Sequence, residues 1–395
     1  MMKQLHPLEQ ARRERERGAG YLSLVNSNFA DAGIIVPEQW YEDAWHSWRS
    51  YSSYTPDSRG STAARDAVAA MYQREACSID RKDVIITAGS SVSYLLLFTA
   101  LVRQGFRQVL LPRPGYPLFA ELATTAGLET IWYTLNGKNN FDLPEDGIPE
   151  IPRGKDHSVG ALVLITPNNP SGVEYSAESV QRVADQCAAA GVTLIIDEVF
   201  SRYRDTLNPP YRPPRAFLLN GLSKLCATPE VKAGWMCVSQ PGIRERDLLS
   251  SVEVLHDTYL TLSGFADAAV TVFLQEQRDA LRESFRQTVA AMRQRVTHHL
   301  CSIPGVVVPR PNRGGGIHLP ISLNAEVCAE RFGTIDDERI ATILVQEWGL
   351  YLHPGCFYDI QEEKLLDPWF VITVLHGEDE WNEIMDRLVQ ALGGS

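Results

Sequence analysis

From about residue 83 onward, short and nearly continuous aliphatic runs alternate with amphipathic stretches, a pattern that predicts parallel strands joined by crossover helices. The clearest runs are Val84-Ile-Ile-Thr87, Val109-Leu-Leu111, Ala161-Leu-Val-Leu-Ile165 and Thr193-Leu-Ile-Ile196. They lack the apolar and polar alternation of a strand with one wet face, so both of their faces are expected to be covered. A charged and apolar periodicity over residues 264–300 predicts one long helix that carries the chain out of a large domain. Beyond it, runs at 306–308, 316–323 and 370–374, with helical patterns near 337–347 and 379–392, predict a smaller α/β unit. The expected division is an N-terminal arm over residues 1–45, a large domain over 46–285 and a small C-terminal domain over 286–395. Pro209, Pro210, Pro213 and Pro214 predict a stiff loop ahead of the next strand, because proline continues neither a helix nor a central ladder.

Composition narrows the function classes. A chain of 395 residues is too long for one small core. A formal charge of −12 with no long basic run argues against a nucleic-acid or acidic-membrane partner. The first 18 residues mix Arg with Glu and lack an apolar core, so they read as a solvated helix or arm rather than a secretory or transit segment. No apolar run approaches the roughly 20 residues that span a bilayer, and a cytoplasmic enzyme is expected. The seven cysteines have no paired CxxC spacing and are read as reduced thiols, mostly packing.

Candidate chemistry lies in three strings in a fixed order: Thr166-Pro-Asn-Asn-Pro-Ser-Gly172, Ile195-Ile-Asp-Glu-Val-Phe200 and Leu219-Asn-Gly-Leu-Ser-Lys-Leu-Cys-Ala-Thr-Pro-Glu-Val-Lys-Ala-Gly-Trp235. Each alone is weak, but together, in this order and spacing, they resemble the fold-type I, pyridoxal 5′-phosphate enzymes of the class I/II aminotransferase family. The resemblance spans roughly residues 21–392 and is most specific between Tyr54 and Trp235. It implies an α/β fold with a mostly parallel central sheet in the large domain, beside a smaller α/β domain.

On that resemblance Lys224 forms the imine with the cofactor aldehyde and later moves protons at the substrate's α-carbon. A buried lysine suits this, since burial disfavours the ammonium and frees the amine as nucleophile and base. Asp197 ends an apolar strand, where a bare carboxylate is costly without a cation; a pyridinium nitrogen would supply one, and the carboxylate would keep that nitrogen protonated. Asn169 matches the asparagine that donates to the cofactor's 3′ oxygen, although Asn-Pro-Ser-Gly is also ordinary turn chemistry. Tyr116, in Pro112-Arg-Pro-Gly-Tyr-Pro-Leu-Phe119, matches the ring that stacks on the pyridine, or is a packed surface aromatic. Gly89, Ser90 and Ser91 follow a strand and open a helix, where backbone amides favour a phosphate. Lys232 stands where most relatives carry an arginine, keeping the charge but losing the bidentate fork. Tyr54 resembles the tyrosine that reaches the neighbouring subunit's phosphate, which implies a homodimer.

Three departures bear on function. Phe200 occupies the place of a tyrosine whose hydroxyl bonds the 3′ oxygen, with Tyr203 a substitute only if the turn brings it round. Gly221 stands where a serine often binds phosphate. Trp369-Phe-Val-Ile-Thr-Val-Leu-His-Gly377 carries no arginine to clamp the substrate's α-carboxylate, a gap shared by a subgroup whose sequences resemble Leu352-His-Pro-Gly-Cys-Phe-Tyr358. Another cation, such as Arg313 beside Gly314-Gly-Gly316, is a candidate replacement. His318, His353 and His376 read first as packed histidines and second as catalytic ones. Asn26-Ser-Asn-Phe-Ala-Asp-Ala-Gly33 matches a strip that covers the substrate in relatives, and its polar residues equally suit loop turns. Glu198 is given no role.

The expected function is therefore transfer of an amino group from an amino acid or amino-acid-like substrate. The alternative is β- or γ-elimination, replacement or cyclisation in natural-product biosynthesis, for example on S-adenosylmethionine. A third reading, a regulatory module without turnover, fits poorly with Lys224, Asp197 and Asn169 all being retained.

Overall fold

The computed structural model describes residues 5–51, 56–151, 158–205, 210–309, 314–360 and 367–393. Among them the strands are β1 (Leu22–Ser23), β2 (Val84–Thr87), β3 (Gln108–Arg113), β4 (Glu129–Thr134), β5 (Val159–Ile165), β6 (Thr193–Asp197), β7 (Phe217–Gly221), β8 (Gly234–Val238), β9 (Val306–Val307), β10 (His318–Leu323), β11 (Leu350–Tyr351), β12 (His353–Pro354) and β13 (Trp369–Thr373). Seven of them form a sheet in the order β2-β8-β7-β6-β5-β3-β4. Strands β3 to β7 run parallel, and β8 is antiparallel to both of its neighbours.

Both faces of this sheet are covered, as its continuous apolar strands require. Ile86, Leu162, Leu164, Leu194 and Ile196 pack on one side, while Ile85, Ala161, Val163, Ile165 and Ile195 pack on the other. The alternation follows the two-residue period of the strands. Crossover helices are closed by local chemistry: Ser176 caps Ala177–Ala190 by accepting from the Ser179 N–H at 3.1 Å, and Gly191 ends it at φ 69°.

The C-terminal unit holds a four-stranded antiparallel sheet, β12-β13-β10-β9. The N-terminal segment belongs with it in space, since β1 pairs in parallel with β11, Leu22 opposite Leu350. Helix Pro7–Arg17 is not simply solvated: Leu8 and Ala11 are buried, and Arg15 donates to the Gln346 carbonyl at 3.3 Å.

The single helix expected over residues 264–300 is two, Gly264–Phe273 and Asp279–Cys301, joined by a 3₁₀ turn at Glu276–Arg278. Guanidinium groups satisfy the carbonyls at the break. Arg74 donates to Leu274 at 2.9 Å and Arg282 donates to Phe273, so the amphipathic period continues across an interrupted backbone. The apolar pattern also overlooks β4, an edge strand with only Tyr133 buried. Strands β5 and β6 end level, Ile165 opposite Asp197, and the chain leaves the parallel strands toward one crevice, where open α/β sheets bind ligands.

Candidate active site

A cavity of about 450 Å³ lies at these strand ends, and Ser90, Ser91, Tyr116, Asn169, Asp197, Lys224 and Lys232 all line it. Residues separated by up to 142 positions in sequence thus meet around one space, 232 less 90. Gly89 stands just behind as the N-cap of helix Ser90–Arg103. Tyr54 and Arg313 lie outside the described residues. A larger cavity, about 650 Å³, sits between residues 144–151 and the helix Ala177–Ala190, away from every candidate residue.

Asp197 is 2 % exposed. Its Oδ2 accepts from the Tyr94 hydroxyl and its Oδ1 from the Val199 N–H, each at 2.9 Å. Burial nonetheless lifts its pKa to about 6, with the Glu198 charge adding to the rise, and among the described residues no cation pairs with it. Glu198 points to the opposite face, where it accepts from Arg212 at 2.7 Å and from Tyr72 at 3.1 Å. Two adjacent carboxylates therefore differ: Glu198 is matched by a buried guanidinium, and Asp197 is not.

Lys224 follows β7 in the short helix Leu222–Leu225. Burial, then the charge of Lys232, lower its pKa to about 8, so more free amine exists near neutrality than for a solvated lysine. Its Nζ sits 5.6 Å from the Phe29 ring centroid. Phe29 stacks on Tyr203, whose hydroxyl donates to the Lys224 carbonyl at 2.7 Å. Tyr203 is thereby committed beneath the lysine and does not take the place of the hydroxyl missing at Phe200.

The helix Ser90–Arg103 has no side-chain cap, and Gly89 takes φ 110° to start it. Thr87 uses its hydroxyl on the Gly89 carbonyl and on Ser93, leaving the Ser90 and Ser91 hydroxyls without a partner among the described residues. Open amides, two hydroxyls and exposed Lys232 make an anion site. The turn packs so tightly on β8 that a Cβ at Gly234 would lie 2.8 Å from Gly89 C and Ser90 N. Gly221 is equally confined, a Cβ there falling 2.8 Å from the Ala233 oxygen, which explains why no serine stands at this position.

Asn168 closes its turn by accepting from the Ser171 backbone and hydroxyl at 3.2 and 2.7 Å. Asn169 is left 5 % exposed with its Oδ1 buried and unpartnered. Because partners decide which end of an amide is N and which is O, that end suits a ligand donor or acceptor alike. Tyr116 is at the rim, 41 % exposed and edge-on to Phe119.

The rest of the cavity comes from outside the three matched strings. Val25, Ser27, His318, His353, Tyr358 and Thr373 complete it from the N-terminal segment and the C-terminal unit. In the 26–33 strip Asn26 and Asn28 close local turns, and Ser27 lines the cavity. His353 bonds Tyr358 at 3.0 Å, and His376 is a packed histidine between the Thr373 carbonyl and Glu380, away from the cavity. Tyr94 was overlooked, although a single hydroxyl in the apolar run Tyr94-Leu-Leu-Leu-Phe98 was its signal. Chemically, the arrangement offers open amides, hydroxyls and a lysine that suit an anion, a buried carboxylate with no cation among the described residues, and an amine of lowered pKa on the same cavity.

A family model described as aminotransferase class I and II matches residues 25–388. The probable aminotransferase TAT3 of Arabidopsis thaliana is 27% identical over 85% of this chain and 75% of its own length. Glutamate-pyruvate aminotransferase AlaA of Escherichia coli K12 is 26% identical over 89% of this chain and 86% of its own. Among solved structures, an alanine aminotransferase from Pyrococcus furiosus superposes with a TM-score of 0.84 at 18% identity, covering 99% of this chain and 98% of that one. An aminotransferase from Escherichia coli gives 0.83 at 21% identity, covering 98% and 94%.

Proposed function

This chain belongs to the aminotransferase class I and II family and is an aminotransferase, and on that footing we propose that Lys224 is its reacting amine and pyridoxal 5′-phosphate its cofactor. The observation that carries this reading is Asp197, a buried carboxylate with no cation among the described residues, on the same cavity as Lys224. The residues fit the cofactor. Ser90, Ser91, the helix start behind Gly89 and Lys232 would hold its phosphate, Asp197 its ring nitrogen, Asn169 its 3′ oxygen and Tyr116 its ring face. Bound there, the cofactor supplies an aldehyde that joins to amines and a ring that draws electrons from the α-carbon.

Lys224 then has two tasks, to anchor the cofactor and, once released, to carry a proton at the substrate's α-carbon. Its lowered pKa supports both, since a general base works best with a pKa near the working pH. Tyr94 and the Val199 N–H hold Asp197 in place without neutralising it. Val25 and Ser27 from the N-terminal segment, with His318, His353, Tyr358 and Thr373 from the C-terminal unit, complete the lining around these groups.

We propose further that the active unit is a homodimer, with Tyr54 reaching the neighbouring site. Exposed Trp45, Tyr51, Tyr259 and Leu260 support an apolar surface for a second copy. The division into 1–45, 46–285 and 286–395 is proposed on the same terms, as the seven-stranded sheet falls within the second segment. A cytoplasmic location accords with the finding that no described helix is long and apolar enough to cross a membrane. A place in natural-product biosynthesis is proposed from the departures at Phe200, Gly221 and β13. The elimination, replacement or cyclisation alternative gains no support from the geometry.

The test is a single-turnover experiment on the cofactor-loaded protein with a panel of amino acids. One keto acid released per site, with the amino group retained on the cofactor, is the expected result. Loss of a side-chain leaving group instead would overturn amino-group transfer.

A further inference from the structure

Resting on the reading of this cavity as an aminotransferase site, we propose that the His318 imidazole hydrogen-bonds the substrate's carboxyl end, so that neutral derivatives such as primary amides bind as well as free amino acids. His318 begins β10, where the chain emerges from Gly314-Gly-Gly316, and this start is pinned from below. Arg293 donates to the carbonyls of Gly315, Gly316 and His318 at 2.8, 3.0 and 2.7 Å. Gly316 donates in turn to the Tyr203 carbonyl at 2.7 Å. The ring itself stands edge-on to Phe200, centroids 5.3 Å apart and planes at 88°, which fixes its tilt beside Lys224.

Its nitrogens are the free ones. Among the described residues the His318 ring makes no hydrogen bond, whereas His353 is engaged by Tyr358 and Tyr351. Lys224 and Lys232 are the lysines of the described lining, which contains no arginine. Arg293 is committed to the three carbonyls above, and Arg113 lies over Trp132 and 3.6 Å from Asp359. Strand β13 meets the cavity with Thr373, whose hydroxyl is bonded to the Asn26 and Leu24 carbonyls at 2.6 and 3.2 Å.

A guanidinium offers donors alone, and so selects an anion. A neutral imidazole presents either a donor N–H or an acceptor nitrogen to the substrate, according to its tautomer; a carboxamide can meet either one, with its oxygen or its NH2, and a carboxylate only the donor. In the cofactor-free protein burial, then the charges of Lys224, Arg293 and His353, hold the His318 pKa down to about 3; burial, the largest cause, does not depend on the Lys224 charge and keeps the ring neutral near pH 7. Discrimination by substrate charge at this end is accordingly weak.

The experiment measures cofactor uptake first, then binding of L-alanine, L-glutamate and L-tyrosine and of their α-amides from the change in cofactor absorbance. It uses the loaded wild-type protein, His318→Phe and His318→Gln. Expected are Kd values for acid and amide within about tenfold of each other, about a tenfold weakening of both in His318→Phe as for one lost hydrogen bond, and recovery in His318→Gln, which keeps a donor and an acceptor. An acid preferred a hundredfold or more over its amide, unchanged in His318→Phe, overturns the proposal in favour of a cation outside the described residues or on a second subunit. So does a panel in which no probe binds, or a His318→Phe protein that fails to take up cofactor. A wild-type protein that takes up no cofactor would instead remove the aminotransferase site itself, and the proposal with it.

Discussion

On the sheet wall of the cavity Asp197 is buried with no cation among the described residues, whereas on the facing wall His318 and His353 are half-buried, neutral rings. The two walls titrate in opposite senses. With a folded pKa of about 6 against an ordinary 3.8, Asp197 contributes stability below about pH 4 that is lost as pH rises through 6. His318 and His353, held near 3 and 4 against 6.5, contribute stability above 6.5 that is lost as pH falls through those lower values. The sheet wall is thus incomplete until a positive group arrives, and the facing wall is complete without one. On the proposed reading, chemistry falls to the first wall and selectivity to the second.

The largest effect that would break this contrast is at Lys224. Lys224→Ala should lose the covalent cofactor adduct seen by mass after borohydride reduction, and turnover should fall by at least about 10²–10⁴-fold from the missing proton transfer alone. Turnover preserved in that variant would remove the amine from the sheet wall's chemistry.

Asp197→Asn comes next and separates stability from activity. Turnover should fall about 10²–10³-fold, as when one preorganised electrostatic group is removed. Without cofactor, the same variant should be more stable at pH 7 than the wild type by up to about 3 kcal/mol, since the folded carboxylate no longer has to ionise in a buried place. Urea unfolding of the cofactor-free proteins from pH 4 to 7 would show the falling Asp197 limb vanish while the rising histidine limb stays.

How much of this was legible follows the same division. Lys224, Asp197, Asn169 and the Gly89 turn each sit at a strand end inside a short contiguous motif, and sequence records contiguity. The strands themselves were legible because burial on both faces leaves continuous apolar runs, and β4 was missed because an edge strand need not have one. His318, His353 and Thr373 lie in segments that the sequence singles out, but their meeting with Val25 around the cavity depends on tertiary packing of β1 on β11 and β10 on β13, which leaves no local signature. The break at residues 274–278 was hidden for a similar reason, since its carbonyls are satisfied by Arg74 and Arg282 from other turns.

Lys232→Gln probes the link between anion site and amine. Cofactor affinity should fall about tenfold, the low end for a charge-assisted bond at an exposed position. Because the Lys232 charge helps to lower the Lys224 pKa, that pKa should move upward in the variant, which the pH dependence of Lys224 acylation in the cofactor-free protein would read. An unchanged Lys224 titration would leave burial as its sole cause.

Tyr203→Phe should have the smallest effect and the sharpest meaning. The hydroxyl donates to the Lys224 carbonyl and its ring stacks on Phe29, so the substitution keeps the stack and removes one hydrogen bond. A loss of about 1 kcal/mol in unfolding free energy is expected, with kcat and KM within about threefold of wild type. A large fall in kcat at unchanged stability would mean instead that Tyr203 reaches the reacting groups and compensates for Phe200. Introducing the missing hydroxyl by Phe200→Tyr addresses the same point from the other side: Phe200 is 5 % exposed and bears the edge contact of His318, so the added oxygen must share the space of that ring. If the walls divide their tasks as described, Phe200→Tyr alters how acids and amides bind through His318 more than it alters turnover on the sheet wall.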